Sequence, residues 1–182
     1  IVDYLDAFRY ALAGEFAMTT DLARQVRVQR DWGLEVGTLG EAYRLVGFPG
    51  SAQVDLGVHE HDHRPVGGQS GLGDMSDEVA GACFRALADA GVDPDFDALR
   101  AAYRETAGDL VDGYEADAAF NDLVYDRAAE REQVETYADA IGPPGPDRRL
   151  PPWSEVPISP AAVRERSRAA LEAVGAATPG RE

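Results

Sequence analysis

The chain has 182 residues, 45% of them hydrophobic, enough to bury a core in one domain or in a domain with an appendage. Acidic residues outnumber basic ones by 33 to 17, for a net charge of −16, and every basic residue is Arg. So acidic a surface repels phosphate backbones and argues against general nucleic-acid binding, a single cysteine (Cys83) rules out an internal disulfide, and no apolar run approaches the roughly 20 residues of a membrane span.

With no signal-peptide pattern at its start, the sequence reads as that of a soluble, cytoplasmic protein. Val2, Leu5 and Phe8 share one face of a short helix that begins in mid-element, as in a chain entered partway through. Tyr10 to Met18 is an apolar run interrupted at Ala13-Gly14-Glu15, where glycine permits a tight turn or a close approach to a ligand. Thr19 or Thr20 caps a helix reaching about Val28. The next helix is expected from near Gly33 to Gly47, with Leu34, Leu39, Tyr43 and Val46 as a partial stripe. From Ser51 to Glu60 the pattern has period two, which predicts a strand: Val54, Leu56 and Val58 face one way, and Gln53, Asp55, Gly57, His59 and His61 the other.

Pro65 to Asp74 is glycine-rich but lacks the flanking strand and Lys-Ser/Thr of a phosphate-cradling loop, so it reads as a mobile loop. Ser76 to Ala90 then repeats Val79, Cys83, Phe84 and Leu87 at helical spacing and stops at Gly91, which makes Cys83 a core residue rather than a nucleophile. Pro94 opens a helix through Leu99, Tyr103 and Leu110, and an acid-laced helical region follows to Ile141, with a break expected at Gly113. The closely spaced aspartates at Asp93–Asp95 and Asp109–Asp112 read as surface acid. Gly142 to Pro152 is too rich in Pro and Gly for regular structure and forms an extended connector; Ser159 and Pro160 then cap a final helix ending near Gly175.

Chemistry concentrates in the first third. His59, His61 and His63 alternate with Glu60 and Asp62 at the end of the expected strand. Alternate residues of an extended segment share a face, so the three imidazoles could converge on a divalent metal or a phosphate; a solvated, His-rich strand end is the other reading. Glu35 falls in the first turn of its helix, where the dipole favours a carboxylate and a side chain can face a ligand; an ordinary first-turn acid has the same position.

Three motifs in order, Leu12-Ala13-Gly14-Glu15, Asp31-Trp32-Gly33-Leu34-Glu35-Val36-Gly37 and Gln53-Val54-Asp55-Leu56-Gly57-Val58 followed by His59-Glu60-His61, resemble the second half of the glucosyl-3-phosphoglycerate and mannosyl-3-phosphoglycerate synthases. The likeness covers the first part of the chain, to between residues 65 and 90, and from Val92 onward is one of general character only. It implies an α/β fold, the C-terminal part of a GT-A (Rossmann-like) glycosyltransferase with few strands and a largely helical C-terminal region. It also implies retaining transfer of a hexose from a nucleotide-diphosphate sugar to a small phosphorylated acceptor such as 3-phosphoglycerate, with the nucleotide-binding half lying before Ile1.

By position, the resemblance makes His61 the ligand of a Mg²⁺ or Mn²⁺ ion bridging the donor phosphates, and Glu35 the acidic group near the reacting centre. It puts Leu12, Gly14, Glu15, Asp31, Trp32 and Gly33 around the sugar or acceptor, and Asp62, His63 and Arg64 near the acceptor. An Asp and a His here replace the family's common Arg and Asn, which leaves acceptor identity open. Residues 1–75 are then the acceptor and metal part and 76–182 a helical extension with a Pro-rich connector at 142–160; a second copy is a further candidate partner. The competing reading is a non-catalytic metal-binding or assembly module built on His59, His61 and His63.

Composition alone generates one prediction. A net charge of −16 without Lys is suited to a salt-rich cytoplasm, and a GC-rich genome would also favour Arg over Lys. At about 0.1 M salt the Debye length is roughly 10 Å and acidic self-repulsion acts, whereas at about 1 M it is roughly 3 Å. The thermal midpoint should therefore rise with KCl, beyond the rise produced by sucrose; a flat or falling midpoint removes the salt-adaptation reading.

Overall fold

The computed structural model describes residues 1–10, 14–57 and 69–177, the side chains of 69–72 and 175–177 excepted. Among the described residues the regular elements are helices: α1 (Val2–Asp6), α2 (Thr20–Ala23), α3 (Leu34–Val46), a 3-10 turn (Phe48–Gly50), α4 (Gln69–Asp89), α5 (Phe96–Phe120), α6 (Arg127–Asp139) and α7 (Pro160–Ala177).

The expected α/β class, with a GT-A Rossmann-like core, is therefore overturned: the described residues form no strand and no sheet, only one antiparallel bridge between Val28 and Leu150. Residues 51–57 of the expected strand are irregular, with Val54 and Leu56 exposed, and Val58 to Glu60 lie outside the described residues. Two local features bend the chain where a strand would run straight. Asp55 Oδ1 accepts the Gly57 N–H at 2.8 Å, and Gly57 takes φ 72°, a left-handed conformation glycine adopts without steric cost.

Three smaller expectations also change. The Thr19-capped helix ends at Ala23 instead of near Val28, because the backbone of Val28 turns to exchange hydrogen bonds with Leu150. Gln69 to Asp74, expected as loop, belong to α4. Gly113 does not break α5, since its missing side chain faces open space and a mid-helix glycine costs only about 1 kcal/mol. The break comes after Asn121, where Asp122 takes φ 56° and the Leu123 N–H reaches back to the Ala118 carbonyl at 2.8 Å. That is a Schellman stop with Asp in glycine's usual place. Gly91, at φ 79°, ends α4 in the same way, with the Val92 N–H on the Leu87 carbonyl at 2.9 Å.

The core lies where α4 meets the start of α5 and the end of α6. Phe84, Leu87 and Ile141 are buried there, with Ile1, Val92, Phe96 and Tyr103 against them, and Phe84 meets Phe96 edge to face at 5.1 Å. A satellite cluster surrounds Tyr4, whose ring packs on Phe8, Tyr43 and Phe48 while its hydroxyl hydrogen-bonds Ser51 Oγ at 2.8 Å. Helix α3 lies close on α4 because glycine faces alanine: a Cβ on Gly33 would stand 2.4 Å from the Ala82 methyl, and one on Gly40 2.5 Å from the Ala86 methyl.

One carboxylate deep in this assembly, that of Glu41 on α3, is 2% exposed. Arg27 donates to it from its backbone N–H at 2.9 Å and from its guanidinium, and Arg44 from Nε and Nη2 at 3.1 and 2.8 Å. Arg149, in the connector, approaches Glu41 at 3.4 Å, binds Asp89 at 2.8 Å and forks onto Asp147 at 2.6 Å; Arg27 also binds Asp89 at 2.8 Å. Burial pushes the Glu41 carboxyl up, but the hydrogen bonds from Arg44 and Arg27 more than reverse this and hold it at about 2 against an ordinary 4.5. Asp147 is likewise held well below the usual carboxylate range by its hydrogen bond from Arg149.

Both carboxyls are depressed in the folded state. Their contribution to stability is therefore complete above about pH 4.5 and drains away as pH falls toward 2. Glu41→Gln keeps the shape and leaves the guanidiniums around it uncompensated, a change expected to cost about 2–3 kcal/mol at pH 7 by urea unfolding, below the fully buried case because Arg27 and Arg44 are partly exposed. The variant's stability should also depend less on pH below 4.5; an unchanged acid profile removes Glu41 from that role.

Candidate functional site

The Asp31-Trp32-Gly33 segment turns into α3 and carries its own brace. Asp31 Oδ1 accepts the Gly33 N–H at 3.0 Å, closing a short side-chain turn of the kind Asp favours. The Trp32 N–H is taken by Glu78 Oε2 of α4, also at 3.0 Å. Gly33 is the N-cap of α3 and supplies no side-chain cap, so the turn's orientation is set by Asp31 from within and by α4 from outside. Gly33 has to be glycine: a Cβ there would meet the Ala82 methyl and, at 2.8 Å, the Glu78 carbonyl oxygen.

On this turn the indole of Trp32 is exposed and Glu35 is half-buried in the first turn of α3. Beside it opens a cavity of about 290 Å³, walled by Gln29 and Asp31, by Asp77, Glu78 and Arg85 of α4, and by Gly145, Pro146 and Arg148 of the connector. Arg85 donates to the Gly145 carbonyl and so ties the connector to α4. Extended backbone alternates its side chains, and here Arg149 is buried among the carboxylates while its neighbour Arg148 lines the cavity. An exposed indole offers a stacking face, and carboxylates beside it accept hydrogen bonds from hydroxyls, a combination suited to a polyhydroxylated ligand.

Of the residues singled out by sequence, Asp31, Trp32, Gly33 and Glu35 thus stand together at one helix start. Gly14 and Glu15 lie in an exposed irregular stretch before α2. Leu12, His61, Asp62, His63 and Arg64, with His59, lie outside the described residues. Among the described residues no group of three or more His, Cys, Asp or Glu is arranged to hold a metal ion, and no helix is long and apolar enough to cross a membrane. Cys83 is half-buried on α4 and burial pushes its thiol up, away from the reactive thiolate. Asp95 and Asp112, read as surface acid, have structural partners: Asp95 caps α5 through the Ala98 N–H at 3.0 Å, and Asp112 pairs with Arg127 and Arg131.

Sequence reasoning missed Glu78, Arg85 and Arg148. Glu78 is 46 positions from Trp32, and Arg148 sits in a segment that reads only as a connector. No local pattern joins such distant residues; only the packing of α3 on α4 does.

No family model and no solved structure matches the chain. Among curated proteins it is similar to one named glucosyl-3-phosphoglycerate synthase from Methanococcoides burtonii, at 35% identity over 179 residues, covering 91% of this chain and 44% of the relative. A protein of the same name from Persephonella marina is 39% identical over 144 residues, 76% of this chain and 36% of the relative. A third, from Mycolicibacterium paratuberculosis, is 40% identical over 68 residues, 37% of this chain. The chain spans less than half the length of these relatives. Over most of its own length, and at 35–39% identity, this chain is a homologue of the glucosyl-3-phosphoglycerate synthases.

Proposed function

We propose that this chain is the acceptor and metal part of a retaining glycosyltransferase that moves glucose, or a close hexose, from a nucleotide-diphosphate sugar to 3-phosphoglycerate or a similarly small phosphorylated acceptor. The observation that carries this reading is the 35% identity over 91% of the chain to the Methanococcoides burtonii relative of that name. In a protein of the relatives' full length, the residues beyond those matched here supply the nucleotide pocket. Donor and acceptor are phosphorylated metabolites that do not cross membranes unaided, which favours a cytoplasmic reaction.

In that reaction the bond from the sugar's anomeric carbon to the donor phosphate breaks and its electron pair leaves with the nucleoside diphosphate. The acceptor hydroxyl oxygen bonds to the same carbon, and its proton passes to an oxygen of the leaving phosphate. Trp32 and Asp31 hold the sugar or acceptor through a ring face and a carboxylate, and Glu35 positions the reacting groups beside them. Arg64 is the nearest candidate for the acceptor's anionic groups. His61 would hold a Mg²⁺ or Mn²⁺ ion, which would neutralise charge growing on the leaving phosphate.

Two measurements on the full-length protein test this. Glu35→Gln keeps shape and removes charge, so kcat for glucosyl transfer should fall by about 10²-fold with the thermal midpoint unchanged. A near-normal kcat returns Glu35 to the ordinary acids of a first helical turn. His61→Ala should abolish most metal-dependent turnover while His59→Ala costs much less; equal losses at the two positions reject the assignment of His61.

A further inference from the structure

We propose that Glu78 of α4 is a positioning residue for the Asp31-Trp32-Gly33 turn, and through it for Trp32 and Glu35; the role in catalysis rests on the transferase reading above. The hydrogen bond from the Trp32 N–H to Glu78 Oε2 at 3.0 Å fixes the Asp31–Trp32 peptide, one residue ahead of the N-cap of α3. The backbone of the same residue forms the wall behind the turn, its carbonyl oxygen standing 2.8 Å from where a Gly33 Cβ would be. The Ala82 methyl and the Glu78 carbonyl together limit how closely the turn approaches α4, and the Glu78 carboxylate fixes its rotation by holding the Trp32 N–H. Neither is set by α3 itself, because Gly33 offers no side-chain cap, and the Asp31 brace is internal to the turn and moves with it.

Glu78 shares its cavity with the carboxylates of Asp31 and Asp77 and with Arg148 of the connector. Arg85, two turns further along α4, also lines the cavity, but its guanidinium is engaged with the Gly145 carbonyl. A half-buried glutamate in such company gains by accepting a backbone N–H, and the donor it takes is the one that orients the exposed indole. The consequence is a site whose geometry is held from the helical extension, 46 residues away from the turn that bears the sequence motif.

The test compares Glu78→Ala with Glu78→Gln, whose amide carbonyl can accept the same N–H. In the chain carrying Trp153→Phe, Trp32 is the sole tryptophan. Glu78→Ala should there raise the hydrogen-exchange rate of the Trp32 amide by about tenfold or more and shift its indole emission, with the thermal midpoint nearly constant, whereas Glu78→Gln should keep both near wild type. In the full-length enzyme Glu78→Ala should lower kcat by about tenfold with KM changed less than about twofold, and Glu78→Gln should restore most of the loss. An unaltered Trp32 amide in Glu78→Ala overturns the proposal, as does a normal kcat for Glu78→Ala beside an impaired Glu35→Gln. A fall in midpoint and kcat that Gln does not restore overturns it too, in favour of a purely structural role. If Glu35→Gln also leaves kcat unchanged, the transferase reading of the site fails, and the Trp32 amide then decides alone whether Glu78 holds the turn.

Discussion

The burial of Glu41 is the constraint on which the rest of the arrangement depends. A carboxylate 2% exposed inside a chain of net charge −16 is tolerable only where cations surround it, and Arg27, Arg44 and Arg149 do so from three parts of the chain. With Asp89 and Asp147 completing the group, three carboxylates meet three guanidiniums and the cluster is locally neutral. Its members come from α3, from the segment after α2, from the last turn of α4 and from the connector, so closing the cluster brings these four together. The Val28–Leu150 bridge and the Ser154 N–H on the Arg24 carbonyl at 3.0 Å then continue the seam along the connector.

The exclusive use of Arg acquires a structural meaning here. Arg27 and Arg44 each place two side-chain N–H groups on Glu41, and Arg149 divides one planar fork between Asp147 and Asp89. A Lys ammonium is a compact point charge and cannot satisfy two carboxylates in fixed directions from one plane. Composition could not have revealed this, since a surface rich in Arg and an internal network of Arg have the same count.

Local signals were legible wherever one stretch of chain determines its own shape. The helix from Gly33 to Gly47 stands within a residue of its expected ends, because glycine marks both, and Ser159 caps α7 through the Ala162 N–H at 3.1 Å as its position beside Pro160 indicates. The strand over Ser51–Glu60 fails in its described part for the opposite reason. Alternation assigns faces to a segment but says nothing of a neighbour to take its backbone bonds, and the Asp55–Gly57 turn was readable only as two separate residues. Gly113 and Asp122 show the same limit: glycine permits a stop without requiring one, and a left-handed stop forms at Asp when the flanking helices pair well enough to offset its cost. At the site, the sequence supplied Asp31, Trp32, Gly33 and Glu35 as neighbours on one motif, whereas Glu78, Arg85 and Arg148 could be found only in three dimensions.

Helix α4 joins these two levels. The face it turns to α3 gives Glu78 and Ala82 to the turn before that helix, Ala86 to Gly40 within it, and Asp89 to the Glu41 cluster, while Phe84 and Leu87 on another face enter the core. A shift of α4 along its axis would have to break the glycine–alanine contacts, the ion cluster and the aromatic core together, and a well-packed interface resists such displacement collectively. The exposed turn is thereby anchored to a helix that the core holds in place, through the Trp32–Glu78 hydrogen bond and the Gly33–Ala82 contact. A binding site on an irregular segment needs such backing from a rigid element, and the proposed site would have it from α4.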